Sequence, residues 1–317
     1  MRILQRSSLI TAGNYHARPG LSTNRKTWLT SKLSVLRLLC YTPSRNTYHH
    51  RSIPVQNALI WGAFILYALS APLYLVHLRH PNRLLLRTAF WAVTAGFILQ
   101  SICLALRWEA AGYLPVTNLF STLFFFSWAL TLTYLYFELR YRIHASGLFV
   151  MFVTLLLLGF ALPRDTALRP LIPALDTPLF TLHIIFSFQG YALFAMASSL
   201  GVLYLLQKHL ATPLLPDLRQ LQRMNEEAIL LGFVLFTLCM LFGCWWAYVA
   251  WGYYFSWNIK AIWSFLVWLF YAGMCHAKFV RRWQGSGYAF LSLVGFGVVL
   301  FTYLGIGLLL ESNHPLD

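Results

Sequence analysis

Apolar runs close to the length of a membrane crossing recur along this chain, and no other feature restricts its fold more. About twenty such residues in a helix traverse the roughly 30 Å hydrocarbon layer, and a helix satisfies its own backbone hydrogen bonds there. The runs predict spans over 56–78, 86–106, 117–138, 146–163, 179–206, 228–250, 261–278 and 288–310. With 59% of residues hydrophobic and only 10% charged, too few charges remain to cover a water-facing surface. The expected fold is an all-α polytopic membrane protein, a bundle of about eight transmembrane helices embedded in the lipid bilayer.

Several chemistries are disfavoured by the same reading. The five cysteines form no CxxC, no CxxCH and no metal-type cluster, and four lie inside the expected spans as small apolar residues. No Gly-rich phosphate loop, paired carboxylates or nucleophile motif is present. A soluble-enzyme mechanism is not expected.

Residues 1–54 differ in kind from 55–317, with nine Arg or Lys, no Asp or Glu, and thirteen Ser or Thr. That composition fits an organelle transit peptide, and equally an overlong deduced start or a basic tail. Without the segment the formal charge of +15 becomes +6, which calls for no nucleic-acid partner. Eleven Lys or Arg fall in the loops after spans one, three, five and seven, against four in the alternate loops and C-terminus. Basic loops stay on the cytoplasmic, stromal or matrix side. The alternate loops, including 251–257 and 164–178, and the C-terminal tail are therefore expected together on the outer face. An uncleaved basic N-terminal segment would violate the same rule.

Six of the twelve tryptophans fall within WWAYVAWGYYFSWNIKAIWSFLVW, residues 245–268. Such rings form either an aromatic belt at the membrane surface or a platform for a flat ligand. His183, near the outer end of span five, and His314, beyond the outer end of span eight, share the face that carries this loop. Imidazoles are good ligands for haem iron, although each also has a plainer reading, His183 as a helix-packing hydrogen bond and His314 as an exposed tail residue. His276, at the inner end of span seven, reads equally as an interfacial residue.

Here the chain resembles the CcsA (or ResC) proteins of system II cytochrome c maturation, whose signature is of the type WGxxWxWDxxE followed closely by a further Trp. The corresponding residues run from Trp251-Gly252 through Trp257-Asn258 to Trp263. GYLPVTNLFSTLFFFSW (112–128), HIIFSFQGYALF (183–194) and FTYLGIGLLLESNH (301–314) are similar to further family segments, so the likeness covers roughly residues 60–314.

The resemblance implies a haem-handling protein that takes haem from the inner side and presents it at an outer cavity for attachment to the CxxCH thiols of apocytochrome c. Non-covalent haem b would be held by His183 and His314 as axial ligands, with His276 meeting haem on the way. Trp251, Gly252, Trp257, Asn258 and Trp263 would form the platform. A Ccs1/ResB-like membrane protein is the implied partner, within a cytochrome c haem lyase complex. A bacterial inner membrane or an organelle membrane, plastid thylakoid or mitochondrial inner, is the implied location, with the C-terminus outside.

This chain departs from the pattern at Phe255, Asn258, Ile259 and Ala261, where the family has Trp, Asp, Pro and Glu, and at Ser121, where it has Glu. Two carboxylates are missing from the signature loop. A non-catalytic HemX-like relative with a structural or regulatory role is the alternative reading.

Overall fold

The computed structural model describes residues 45–305. The leader read at 1–54 falls mostly, and His314 wholly, outside the described residues. The chain divides into two compact units, 1–51 and 52–317, and the second holds the membrane-spanning segments found among the described residues.

Eight helices are present among the described residues: α1 (Arg45–Arg79, spanning over Pro54–Arg79), α2 (Arg83–Ala111), α3 (Leu119–Tyr141), α4 (Ser146–Ala161), α5 (Pro178–Leu210), α6 (Leu218–Trp251), α7 (Ile259–Ala277) and α8 (Ser286–Leu300), the last continuing into a π turn, Phe301–Gly305. Seven are long and apolar enough to cross a membrane, and no strand occurs among the described residues. Helix α4 is the exception, with 16 residues and a length of about 24 Å at 1.5 Å per residue. It nevertheless runs back alongside α3. The chain leaving it is bonded to the start of α3, where Asn118 Nδ2 donates to the carbonyls of Asp165 (3.3 Å) and Ala167 (2.9 Å).

Local chemistry sets the helix ends. Asn82, Asn118, Thr177, Asp217 and Asn258 are N-caps whose side-chain oxygens accept from backbone amides of the first turn. Pro178 starts α5 at a position whose missing N–H costs nothing. Gly112 and Gly252, both at φ 80°, end α2 and α6 in the left-handed conformation that glycine adopts without strain. Among the membrane-spanning segments, the start that differs most from the sequence reading is that of α6. It begins ten residues early, at Leu218, because its first turns carry charged residues that an apolar window rejects.

The core forms around α5. Its residues from Ser187 to Leu200 are nearly all buried. Gly190 packs against Gly232 and Phe236 of α6, and a Cβ at Gly201 would sit 2.6 Å from the Ala289 carbonyl of α8. Small residues thus let the backbones approach closely, as dispersion-driven packing in lipid requires.

Hydrogen bonds near the helix ends and their connections assign the two ends of the bundle. At one end Tyr141 donates to Glu227, and Lys208 Nζ donates to Ser286 Oγ at 2.7 Å. At the other, Tyr113 donates to the Arg169 carbonyl, Trp246 Nε1 to the Ala174 carbonyl (2.7 Å), and Tyr303 to Thr122 Oγ1 (2.9 Å). The loop 162–178, the tryptophan segment and the last described turn therefore share one end, as the alternation of basic loops predicts.

Candidate ligand cavity

Helix α6 presents Phe236, Cys239, Met240, Gly243, Ala247 and Trp251 along one stripe, with spacings of three, four and seven that hold a single helical face. Against it lie His183, Ser187 and Tyr191 of α5, the connection Tyr254–Ser256, and Asn258, Lys260, Ala261 and Ser264 at the start of α7. Between them is a cavity of ≈ 360 Å³, within the usual range of small-molecule sites. Its deep end is apolar, with Phe236 and Cys239 almost fully buried, while Asn258 and Lys260 at the other end are exposed.

His183 is held in one orientation. Its Nδ1 lies 2.9 Å from the Cys239 carbonyl oxygen and 3.4 Å from Cys239 Sγ. A carbonyl only accepts, so Nδ1 carries the proton and Nε2 keeps its lone pair. No partner for Nε2 is found among the described residues. Metal-binding histidines show the same arrangement, one ring nitrogen donating to a carbonyl and the other left basic. The ring can approach α6 this closely because residue 243 is glycine. A Cβ there would lie 2.6 Å from Nδ1 and 2.9 Å from Cε1.

Rings continue the wall. Trp246 lies roughly parallel to the His183 imidazole, with centroids 6.3 Å apart, and edge-on to Trp251 at 4.7 Å. Tyr248 and Tyr254 stack at 4.4 Å with planes 6° apart, and Tyr254 lines the cavity. Trp246 is fixed from behind by its bond to Ala174, and the loop that supplies this carbonyl is itself fastened by α2. There Arg107, only 2% exposed, donates from Nη2 to the Thr166 carbonyl (2.9 Å) and Ser121 Oγ (3.3 Å). Its Nη1 reaches Gln56 Oε1 (3.4 Å), and its guanidinium lies 5.1 Å from the Phe120 centroid.

Of the residues singled out in the sequence, His183, Trp251 and Asn258 meet at this cavity. Gly252 ends α6 beside it. Trp257 is 84% exposed and does not line the wall, and Trp263 packs edge-on against Phe301 at 4.8 Å. His276 lines a separate cavity of ≈ 370 Å³ with Phe270, Met274 and Trp283. It lies about 24 Å along α7 from Lys260, at 1.5 Å per residue, so it shares no site with His183. Trp246, Cys239, Gly243 and Lys260 escaped the sequence reading. Nothing in the sequence alone sets these four apart from the packing residues around them.

Asn258 explains how the loop keeps its shape without the family's Asp. Its Oδ1 accepts from Ala261 N at 2.8 Å, and Nδ2 donates to Ser256 Oγ at 2.6 Å. Asn and Asp cap helices about equally well. Asn258→Ala is therefore expected to lower stability by about 1 kcal/mol, whereas Asn258→Asp should leave it nearly unchanged. Thermal unfolding in detergent measures both.

Fold and site together define a polytopic helical membrane protein with a ring-lined ligand cavity at one end of its bundle. The family profile described as cytochrome C assembly protein matches residues 116–314. The chain is 34% identical over 228 residues to the cytochrome c biogenesis protein CcsA of Chlamydomonas reinhardtii, covering 68% of this chain and 65% of that one. It is 30% identical over 244 residues to CcsA of Guillardia theta, covering 68% and 81%. The solved structure of a cytochrome c haem lyase, CcmF, superposes with a TM-score of 0.58 at 18% identity, over 83% of this chain and 51% of that one, a likeness of fold. The chain thus spans just under two thirds of the Chlamydomonas relative and about half of the lyase. It belongs to the cytochrome c assembly protein family.

Proposed function

We propose that this protein carries haem within its membrane and presents it at the α5–α6–α7 cavity for assembly of c-type cytochromes. The observation that carries the proposal is His183, whose Nδ1 is committed to the Cys239 carbonyl while Nε2 is left basic beside a wall of indole and phenol rings. An imidazole so held is a ready axial ligand for haem iron. Names of the CcsA relatives and of the lyase neighbour point the same way.

In this reading haem b binds non-covalently, and His314 supplies the second imidazole from the tail that follows Gly305. The described chain reaches Gly305 at the cavity end, where Tyr303 bonds Thr122, which supports that assignment. Trp251 and Trp246 cover the macrocycle, and Trp257, pointing outward, meets the client. His276 and its own cavity serve as an earlier station at the opposite end of α7. The client is an apocytochrome c whose CxxCH thiols approach the exposed edge, and a Ccs1/ResB-like protein shields the assembly. The chain's own contribution is positioning: rigid ligation, exclusion of water from the deep end, and one presented edge. The cavity end faces the periplasm, lumen or intermembrane space.

The test is an absorption spectrum of the full-length protein purified in mild detergent and titrated with haemin. A low-spin bis-imidazole spectrum that is lost in His183→Ala is the expected result. No uptake by the wild type would overturn the proposal.

A further inference from the structure

Among the residues that line the cavity, Lys260 alone carries a full charge. It stands at the exposed end, beside Ser256, Asn258 and Ser264, opposite the apolar depth at Phe236 and Tyr191. No carboxylate among the described residues neutralises it. The sequence holds no Asp or Glu between Glu227 and Glu311, and the ion pairs among the described residues, His144–Glu138 and Arg169–Asp165, do not involve Lys260. A lone ammonium on an otherwise apolar and aromatic cavity selects for a ligand with an anionic edge.

The geometry points to Lys260 as the residue that orients the porphyrin, pairing with a propionate carboxylate so that the polar edge lies toward the start of α7. This inference rests on haem being the ligand of the cavity. It adds a direction that axial ligation cannot supply, because an iron–imidazole bond leaves the macrocycle free to rotate about the bond axis. The first turn of α7 favours the same placement. Its amide at Ala261 is used by the Asn258 cap, while those of Ile259 and Lys260 keep the positive end of the helix open to an anion. With the carboxylates held there, the vinyl-bearing edge of the ring lies on the other side of the iron. Lys260 is in this sense a positioning residue, separate from the ligation performed by His183.

Haemin and its dimethyl ester, which has the same ring and iron but no carboxylates, discriminate the idea when titrated into the full-length protein in detergent. The wild type should bind haemin about 5-fold more tightly than the ester, the scale of one exposed ion pair. Lys260→Ala should remove that preference by weakening haemin alone, Lys260→Arg should retain it, and the bis-imidazole spectrum should persist in both variants. An undiminished preference in Lys260→Ala, or none in the wild type, would refute the orienting role and leave the haem site standing. Failure of the wild type to bind either compound would remove the haem reading and this inference with it.

Discussion

Gly243→Ala is expected to weaken haem binding by about 10- to 100-fold, the range seen when the support of a metal ligand is removed. The mechanism is steric. The new Cβ would fall 2.6 Å from His183 Nδ1, so the ring must retreat and give up its 2.9 Å bond to the Cys239 carbonyl. The loss of that bond frees the tautomer and the ring angle together. Helix stability moves the other way, since Ala is favoured over Gly in a helix interior by about 1 kcal/mol. A binding defect without a fall in melting temperature is therefore the signature. Gly159→Ala is the control, because nothing lies within 4 Å of a Cβ there. Haemin titration and thermal unfolding of the same preparations check both parts, and unchanged affinity in Gly243→Ala would show that the ring is not held as described.

The second large effect is expected at Arg107. Its guanidinium is almost completely buried, yet among the described residues its partners are a carbonyl, a hydroxyl, an amide oxygen and an aromatic ring, with no carboxylate. Arg107→Ala should lower stability by about 2–4 kcal/mol, since charged hydrogen bonds are lost and the buried Gln56 and Ser121 oxygens lose their donor. Release of the loop 162–178 should follow, together with the Ala174 carbonyl that fixes Trp246. Ser121→Glu should act in the opposite sense. Position 121 lies in the first turn of α3, three residues after the Asn118 cap, where an acid also favours the helix dipole. The gain is expected to be about 1 kcal/mol and to become a loss in the Arg107→Ala background, where the carboxylate would be buried alone. A double-mutant cycle of melting temperatures tests the coupling, and simple additivity would exclude it.

Much of this architecture is written in the hydropathy of the chain. All eight spans correspond to helices, and the alternation of basic loops alone places 164–178 and the tryptophan segment at one end. The boundaries are less legible, because the start of α6 is set by the Asp217 cap ahead of charged first turns and not by apolar content. Among site residues, His183, Trp251 and Asn258 are visible through motif spacing and do meet. Trp257 belongs to the same motif but points outward, since spacing along a loop fixes no direction for a side chain. Trp246 is hidden among its neighbours because its importance lies in a bond to Ala174, 72 residues away. Gly243 is hidden because a glycine's role is the space it leaves, and that space belongs to a side chain on another helix.

The cap at Asn258 bears on how relatives of this protein are sought. A search pattern that insists on an acid at this position asks for a charge, while the helix start asks only for an oxygen that can accept from the amide of residue 261. Serine or threonine would satisfy it almost as well. Chains discarded for lacking the acid can still carry the same turn, the same tryptophan wall and the same histidine behind it. A pattern written in terms of a capping residue, seven positions after the tryptophan that closes α6, would recover them.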